Sequence, residues 1–294
     1  MELIIQVLYI VFPVFFVIAV GYGFAAFKKI ELTPVLDLLL YITIPALVIA
    51  SLAKQPIQVD DLIKISIAAF AVILVTGILA WLFLRVTGRK ELRGFYMPTM
   101  FLNGGNLPFP LGLLAFGAAG LQAAVLYYIA VSIVVYTVGI YILKGGVGGL
   151  KEIFKLPLIY ATVIGLSINL SGMNFEGPLL TGIDMIGVAT IPLMQISLGY
   201  YLFSIKLRNI GITTAGVAIR MLGGFLVALL MVELLNIEGV TRKMVLLSSS
   251  MPSAVITFIM CYKYKLDSEL VASIVAMSTF LSIITIPLLL YFIM

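Results

Sequence analysis

The sequence predicts an all-helical integral membrane protein with ten transmembrane helices, arranged as two inverted five-helix repeats. Three observations support this prediction. The chain is 63% hydrophobic and only 11% charged, whereas soluble domains carry roughly 25% charged residues. It divides at its charged clusters into apolar segments of about 20 residues, the length that crosses a bilayer. Its two halves also resemble each other at an offset of 147 residues.

Charges or clusters of Gly, Pro and Asn separate the predicted spans from one another. The spans cover residues 3–27, 32–53, 62–86, 94–117, 120–143, 156–171, 178–203, 209–234, 243–262 and 268–293. The sixth is short, and the fourth is interrupted by the stretch FLNGGNLPFPLG. No basic segment precedes the first apolar run, so we predict a retained helix here and not a cleaved signal peptide.

Lys and Arg residues are distributed unequally between the two predicted faces. Thirteen of the 18 lie in the loops after spans 1, 3, 5, 7 and 9, and only four lie on the opposite face. The positive-inside rule then predicts cytoplasmic basic loops and extracellular termini, in a multi-pass protein of the plasma membrane. This asymmetry accounts for the net charge of +5, so nucleic acid is not a predicted partner.

Histidine is absent and Cys261 is the only cysteine. The sequence therefore cannot supply an intrachain disulfide, a histidine-based zinc site or a Ser-His-Asp triad. We predict no cofactor and no enzymatic activity. An intramembrane enzyme is a remote alternative, because the GxGD protease motif and the DDxxD prenyl-transfer motif are both missing.

The internal repeat is clearest where LTPVLDLLLYITIP, residues 32–45, aligns with LLTGIDMIGVATIP, residues 179–192. The two stretches share an Asp and a Thr-Ile-Pro triplet at equal spacing. We therefore predict repeats over residues 1–147 and 148–294. Because each repeat has five helices, the second enters from the opposite side of the membrane, an inverted arrangement that recurs in secondary transporters.

The same offset pairs two interrupted helices. It places Asn103 on Ser250 and Asn106 on Ser253, and both breaks lie about ten residues, or about 15 Å, from each membrane face. Broken helices persist in a bilayer only where they are buried in protein or line a cavity. Half-helix N-termini and uncharged donors suit a carboxylate, so these four residues are predicted to bind an organic anion. The alternative is that they only kink helices for packing.

Several stretches resemble the auxin efflux carrier family, which includes plant PIN-type carriers and bacterial malate or malonate permease-like transporters. They are FLNGGNLPFPLGLLAFGAAGLQAAVLYY, KLPLIYATVIGLSINLSG, ATIPLMQISLGYYL and the run from SSSMPSAVITF to the C-terminal LLL. The resemblance implies the fold of sodium/proton antiporters and bile acid symporters. In that fold helices 1, 2, 6 and 7 form a scaffold, commonly dimeric, and helices 3–5 and 8–10 form a moving transport domain.

The resemblance also implies which residues form the crossover of helices 4 and 9. They are Asn103, Gly104, Gly105, Asn106 and Pro108 in helix 4, with Pro252 in helix 9. Long-looped plant carriers insert a large hydrophilic segment after helix 5, whereas this chain has only KGGVGGLKEIFK. Regulation through that loop is therefore not expected, and neither is auxin as the natural substrate.

Four further charged or polar residues inside predicted spans allow two interpretations each. Asp37 and Asp184 either stabilise helix starts or carry protons. Arg220 either snorkels to the interface or pairs with an acid such as Asp37, or it attracts an anionic substrate. Gln195 either lines a cavity or makes an interhelical hydrogen bond. The same two interpretations apply to Ser197 on helix 7 and to Tyr127, Tyr128 and Ser132 on helix 5.

Asp60 and Lys64 are spaced i,i+4 at the outer start of helix 3. Helix-start electrostatics explains them, and a role in gating or coupling is the alternative. The overall prediction is a secondary transporter of a small organic anion with an elevator-type mechanism, forming a homodimer through its scaffold helices. Uniport and sodium or proton coupling all stay open at this point.

Overall fold

A computed structural model of the chain describes residues 2–145, 154–171 and 176–294, and this part is built of helices. Seven helical segments are long and apolar enough to cross a membrane, and Pro157–Leu170 is a shorter apolar helix. The helices are α1 Glu2–Phe27, α2 Thr33–Leu38, α3 Ile44–Lys54, α4 Val59–Val86, α5 Tyr96–Met100, α6 Pro108–Val134, α7 Ile140–Lys144, α8 Pro157–Leu170, α9 Pro178–Val188, α10 Thr190–Phe203, α11 Ile210–Ala218, α12 Gly224–Leu234, α13 Gly239–Ser249, α14 Val255–Lys263 and α15 Ser268–Ile293.

The helices differ from the predicted spans in two regions. Gly117, with φ of +67°, interrupts α6 where the fourth predicted span ends and the fifth begins. The ninth predicted span consists of two short helices, α13 and α14. The count of ten spans and the inverted repeat remain predictions, and the repeat boundary at 147–148 lies outside the described residues.

The helices pack in two groups. In the first, α1 packs along α10, and α3 packs against α8 and α9. A Cβ atom at Gly21 would collide with the backbone carbonyl of Ile196 in α10, so glycine lets these helices approach closely. In the second group, α4, α6, α12 and α13 pack together, and α15 packs against α11 and α14.

Three segments are π-helical, namely Leu39–Thr43 between α2 and α3, Val135–Gly139 between α6 and α7, and Ile219–Gly223 between α11 and α12. A π-helical turn accommodates an extra residue and is frequent at functional sites. The first two border the central cavity described below, and the third carries Arg220.

Candidate functional site

Two non-helical segments, 101–107 after α5 and 250–254 after α13, lie side by side. The backbone N–H of Asn103 donates to the carbonyl of Pro252 at 2.7 Å, and that of Ala254 donates to the carbonyl of Phe101 at 3.0 Å. Leu102 and Ser253 accordingly form an isolated antiparallel bridge. Proline removes a donor and interrupts a helix, and here each break supplies partners for backbone groups that the other leaves unpaired.

The first break holds an amide donor that has no acceptor. Asn103 is only 3% exposed, and its Oδ1 accepts from the backbone N–H of Asn106 at 3.1 Å. That contact fixes which side of the amide carries the oxygen. Its Nδ2 is buried and has no hydrogen-bond partner among the residues that the structure describes, whereas Asn106 Nδ2 donates to the carbonyl of Met194 at 3.3 Å.

Residues 102–106 line a cavity of about 500 Å³, within the size range of small-molecule sites. Its walls carry hydroxyl and aromatic side chains, including Tyr128, Ser132 and Ser197. Asp37 near the end of the short helix α2 and Lys263 at the end of α14 also line it. Because both lie next to basic loops, the cavity extends from the breaks toward the face that carries those loops.

Two helix N-termini lie at this cavity. Helix α6 begins at Pro108, two residues after the lining residue Asn106, and α14 begins at the lining residue Val255. A helix N-terminus carries a partial positive charge and free N–H groups, which together favour an anion. The cavity therefore combines two such ends with the unpaired amide of Asn103.

The two helix C-termini that precede the breaks are held by a single side chain. Arg220 is completely buried, and its Nη1 and Nη2 donate to the carbonyls of Met100 and Ser249, both at 2.8 Å. Those residues end α5 and α13, so the guanidinium lies against the negative ends of both helix dipoles. Gly224 makes the contact possible, because a Cβ atom there would collide with Nη2 and with the carbonyl of Ser249.

This environment differs from both interpretations of Arg220 drawn from the sequence. A completely buried side chain cannot snorkel to the interface, and no ion pair joins it to Asp37 within the described residues. Arg220 is also absent from the lining of the central cavity. The Arg220 side chain instead connects the C-terminal ends of α5 and α13, the two helices that precede the breaks.

The other predicted charged or polar residues have separate surroundings. Asp184 pairs with Lys54 at 2.7 Å, and Asp60 pairs with Lys64 at 2.7 Å. Gln195 is buried, and its Nε2 has no hydrogen-bond partner in the described part of the chain. None of these five lines the central cavity. Among the predicted acids inside helices, only Asp37 does.

The serines of the second break are turned away from the cavity. Ser250 Oγ donates to the carbonyl of Leu246 at 2.7 Å, and Ser253 Oγ donates to the carbonyl of Pro98 at 2.7 Å. Neither of these serines lines the cavity, and neither do Pro108 and Pro252. The second break contributes its last residue, Ala254, and the first turn of α14 that follows it.

Sequence reasoning named some lining residues and missed others. Tyr128 and Ser132 were candidates and do line the cavity, as does Ser197, whereas Tyr127 hydrogen-bonds Ser249 Oγ at 2.7 Å instead. The missed residues are Met194, Tyr136, Tyr201 and Lys263. The four-residue spacing of 128, 132 and 136 on one helix is a signal that could have found Tyr136, because residues at i and i+4 share a helix face.

Comparisons with known proteins agree with a transport role. Residues 147–290 match the family model described as membrane transport protein. The chain is 27% identical to an uncharacterized transporter of Methanocaldococcus jannaschii, over 95% of this chain and 96% of the relative. It is 28% identical to an uncharacterized transporter of Methanothermobacter thermautotrophicus, over 84% of each. The C-terminal half of the chain is therefore similar to the membrane transport protein family, the auxin efflux carrier family whose motifs the chain carries, and nearly the whole chain is similar to transporters and not to enzymes.

Proposed function

We propose that the protein is a secondary transporter that carries a small organic anion bound at the paired breaks. The observation that carries this proposal is that Asn103, whose buried Nδ2 has no acceptor among the described residues, lines a cavity of about 500 Å³. A buried donor without an acceptor costs about 1–3 kcal/mol. A carboxylate oxygen would satisfy it and would also interact favourably with the N-termini of α6 and α14.

The proposed set of binding residues is smaller than the set that the sequence alone suggested. Asn103 and Asn106 donate from their amides, and the first turn of α14 donates from its backbone. Gly104 and Gly105 keep the cavity open, since a Cβ atom at Gly105 would lie 2.6 Å from Met194 Cε. The hydroxyls of Ser250 and Ser253 are engaged by carbonyls, so the proposal assigns them a structural role.

The proposed mechanism is an elevator-type movement within two inverted repeats. The first packing group, α1, α2–α3, α8 and α9–α10, would form a dimeric scaffold in the plasma membrane. The remaining helices would move with both breaks and with Arg220. Each group packs more extensively within itself than against the other, which supports the proposal, and extracellular termini follow from the distribution of basic loops.

Substrate binding by purified protein tests the proposal. A thermal-shift screen against dicarboxylates, indole-type acids and aromatic acids, with and without sodium, would find a ligand and reveal any dependence on sodium. Asn103→Ala should then weaken its affinity by about tenfold to a hundredfold, because a hydrogen bond to a charged group contributes about 1.5–3 kcal/mol. Asn103→Asp should abolish binding, because it places a carboxylate against the anion.

Asn169→Ala is the matched control. The Asn169 side chain bonds the carbonyls of Leu52 and Gln55, away from the cavity. Its removal should therefore lower stability and leave affinity unchanged. Wild-type affinity in Asn103→Ala would refute the assigned site. Uptake into liposomes with and without a sodium gradient would separate uniport from sodium coupling.

A further inference from the structure

A second concave site lies on the outer surface of the helices, apart from the central cavity. It is a groove of about 720 Å³ bordered by the second half of α4, by α5 and by α7 with the following Gly145. The central cavity and this groove have no lining residue in common. Because α4 is one of the membrane-spanning helices, the groove faces the region that lipid occupies.

One end of the groove is strongly basic. Arg85, Lys90 and Arg93 line it and are exposed, and within the described residues none of them pairs with a carboxylate. All three lie at the connection between α4 and α5. The positive-inside rule explains basic residues on this face in general, but it does not explain why three of them converge on one groove.

The rest of the groove is an apolar wall that runs along α4 into the membrane. Leu74, Ile78 and Trp81 line it, and each is about half exposed, at 63%, 51% and 47%. The Arg85 guanidinium lies over the Trp81 ring, 5.0 Å from its centroid. The groove is therefore amphipathic along its length, with cations at the membrane face and apolar side chains toward the bilayer centre.

The geometry points to a binding site for an anionic phospholipid, with its phosphate at Arg85, Lys90 and Arg93 and an acyl chain along Leu74 and Ile78. Basic pockets between transmembrane helices recognise anionic headgroups in this way. A soluble anion would use only the basic end and leave the apolar wall unexplained. A zwitterionic lipid would contact the apolar wall, but its headgroup would be attracted less strongly by the three cations.

The groove also adjoins the helix that precedes the first break. Tyr96 and Met100 of α5 line the groove, and the Met100 carbonyl is one of the two acceptors of Arg220. A bound lipid would thus contact the element that Arg220 fastens to the second break. We therefore expect an anionic lipid to affect transport as well as to bind.

The single tryptophan of the chain makes the site directly observable. Trp81 lines the groove, so its fluorescence reports this site alone. Purified protein would be reconstituted into phosphatidylcholine vesicles containing increasing fractions of bromine-labelled phosphatidylglycerol or bromine-labelled phosphatidylcholine. We expect the brominated phosphatidylglycerol to quench Trp81 at a several-fold lower mole fraction.

The charge requirement is tested with Lys90→Gln/Arg93→Gln, which leaves the Arg85 contact with Trp81 intact. This variant should weaken the preference for phosphatidylglycerol by roughly thirtyfold, since each of the two basic residues contributes about 1 kcal/mol near the surface and about 1.4 kcal/mol corresponds to tenfold. The matched control is Lys28→Gln/Lys29→Gln, which removes the same charge from an exposed loop outside the groove and should keep the preference.

Three results would overturn the proposal. Equal quenching by both lipids would show that the headgroup is not recognised. Relief of quenching by millimolar glycerol phosphate would assign the basic end to a soluble anion. Absence of quenching by either lipid would show that Trp81 is covered, for example by a second copy of the chain.

Discussion

Replacing Arg220 by methionine should destabilise the protein strongly. Methionine retains the unbranched apolar part of the side chain, but it lacks the guanidinium, so it removes both donors and leaves the carbonyls of Met100 and Ser249 unpaired in a completely buried site. An unpaired buried group costs about 1–3 kcal/mol, so the two together cost about 2–6 kcal/mol. At about 2 °C per kcal/mol for a chain of this size, the melting temperature should fall by roughly 4–12 °C.

The only cysteine provides the assay. Cys261 is buried, so a fluorogenic maleimide would react with it as the protein unfolds in detergent. Arg242→Met is the matched control, because Arg242 pairs with Glu233 at the surface and such pairs contribute less than about 1 kcal/mol. A melting temperature for Arg220→Met within about 1 °C of wild type would refute the reasoning.

Three further predictions follow from close contacts. Gly224→Ala should lower the melting temperature markedly, because its Cβ atom would collide with the Arg220 guanidinium, whereas Gly223→Ala should be tolerated, because the nearest atom there is 3.3 Å away in a flexible side chain. Gly105→Ala should weaken substrate binding by crowding the Met194 side chain, and adding Met194→Ala should restore the affinity in a titration. Tyr127→Phe should cost about 1 kcal/mol of stability, by loss of its bond to a serine hydroxyl, with substrate affinity unchanged because this side chain does not line the cavity.

The position of the breaks was accessible from the sequence, because proline, glycine and asparagine are unfavourable in an apolar helix and because the offset of 147 residues paired two such places. The hydrogen bond between Asn103 and Pro252 joins the two segments that this offset paired. Hydrophobicity likewise indicated the helical segments. These features depend on local residue chemistry, which a single chain displays directly.

The hydrogen-bond partners of individual side chains could not be predicted from the sequence in the same way. Ser253 was aligned with Asn106, yet its hydroxyl bonds the carbonyl of Pro98, 155 positions earlier in the chain. Arg220 reaches a carbonyl 120 positions away. Such contacts depend on how helices rotate and cross, which hydrophobic patterning leaves undetermined when helices are apolar on every side.

The unpaired amide of Asn103 also has a consequence for the rate at which an empty carrier resets. While the site is closed to water and empty, the missing hydrogen bond costs about 1–3 kcal/mol, and a bound carboxylate removes that cost. Under the proposed function, the loaded protein would therefore reorient roughly fivefold to a hundredfold faster than the empty one. The protein would then exchange one anion for another across the membrane more readily than it moves anions in a single direction.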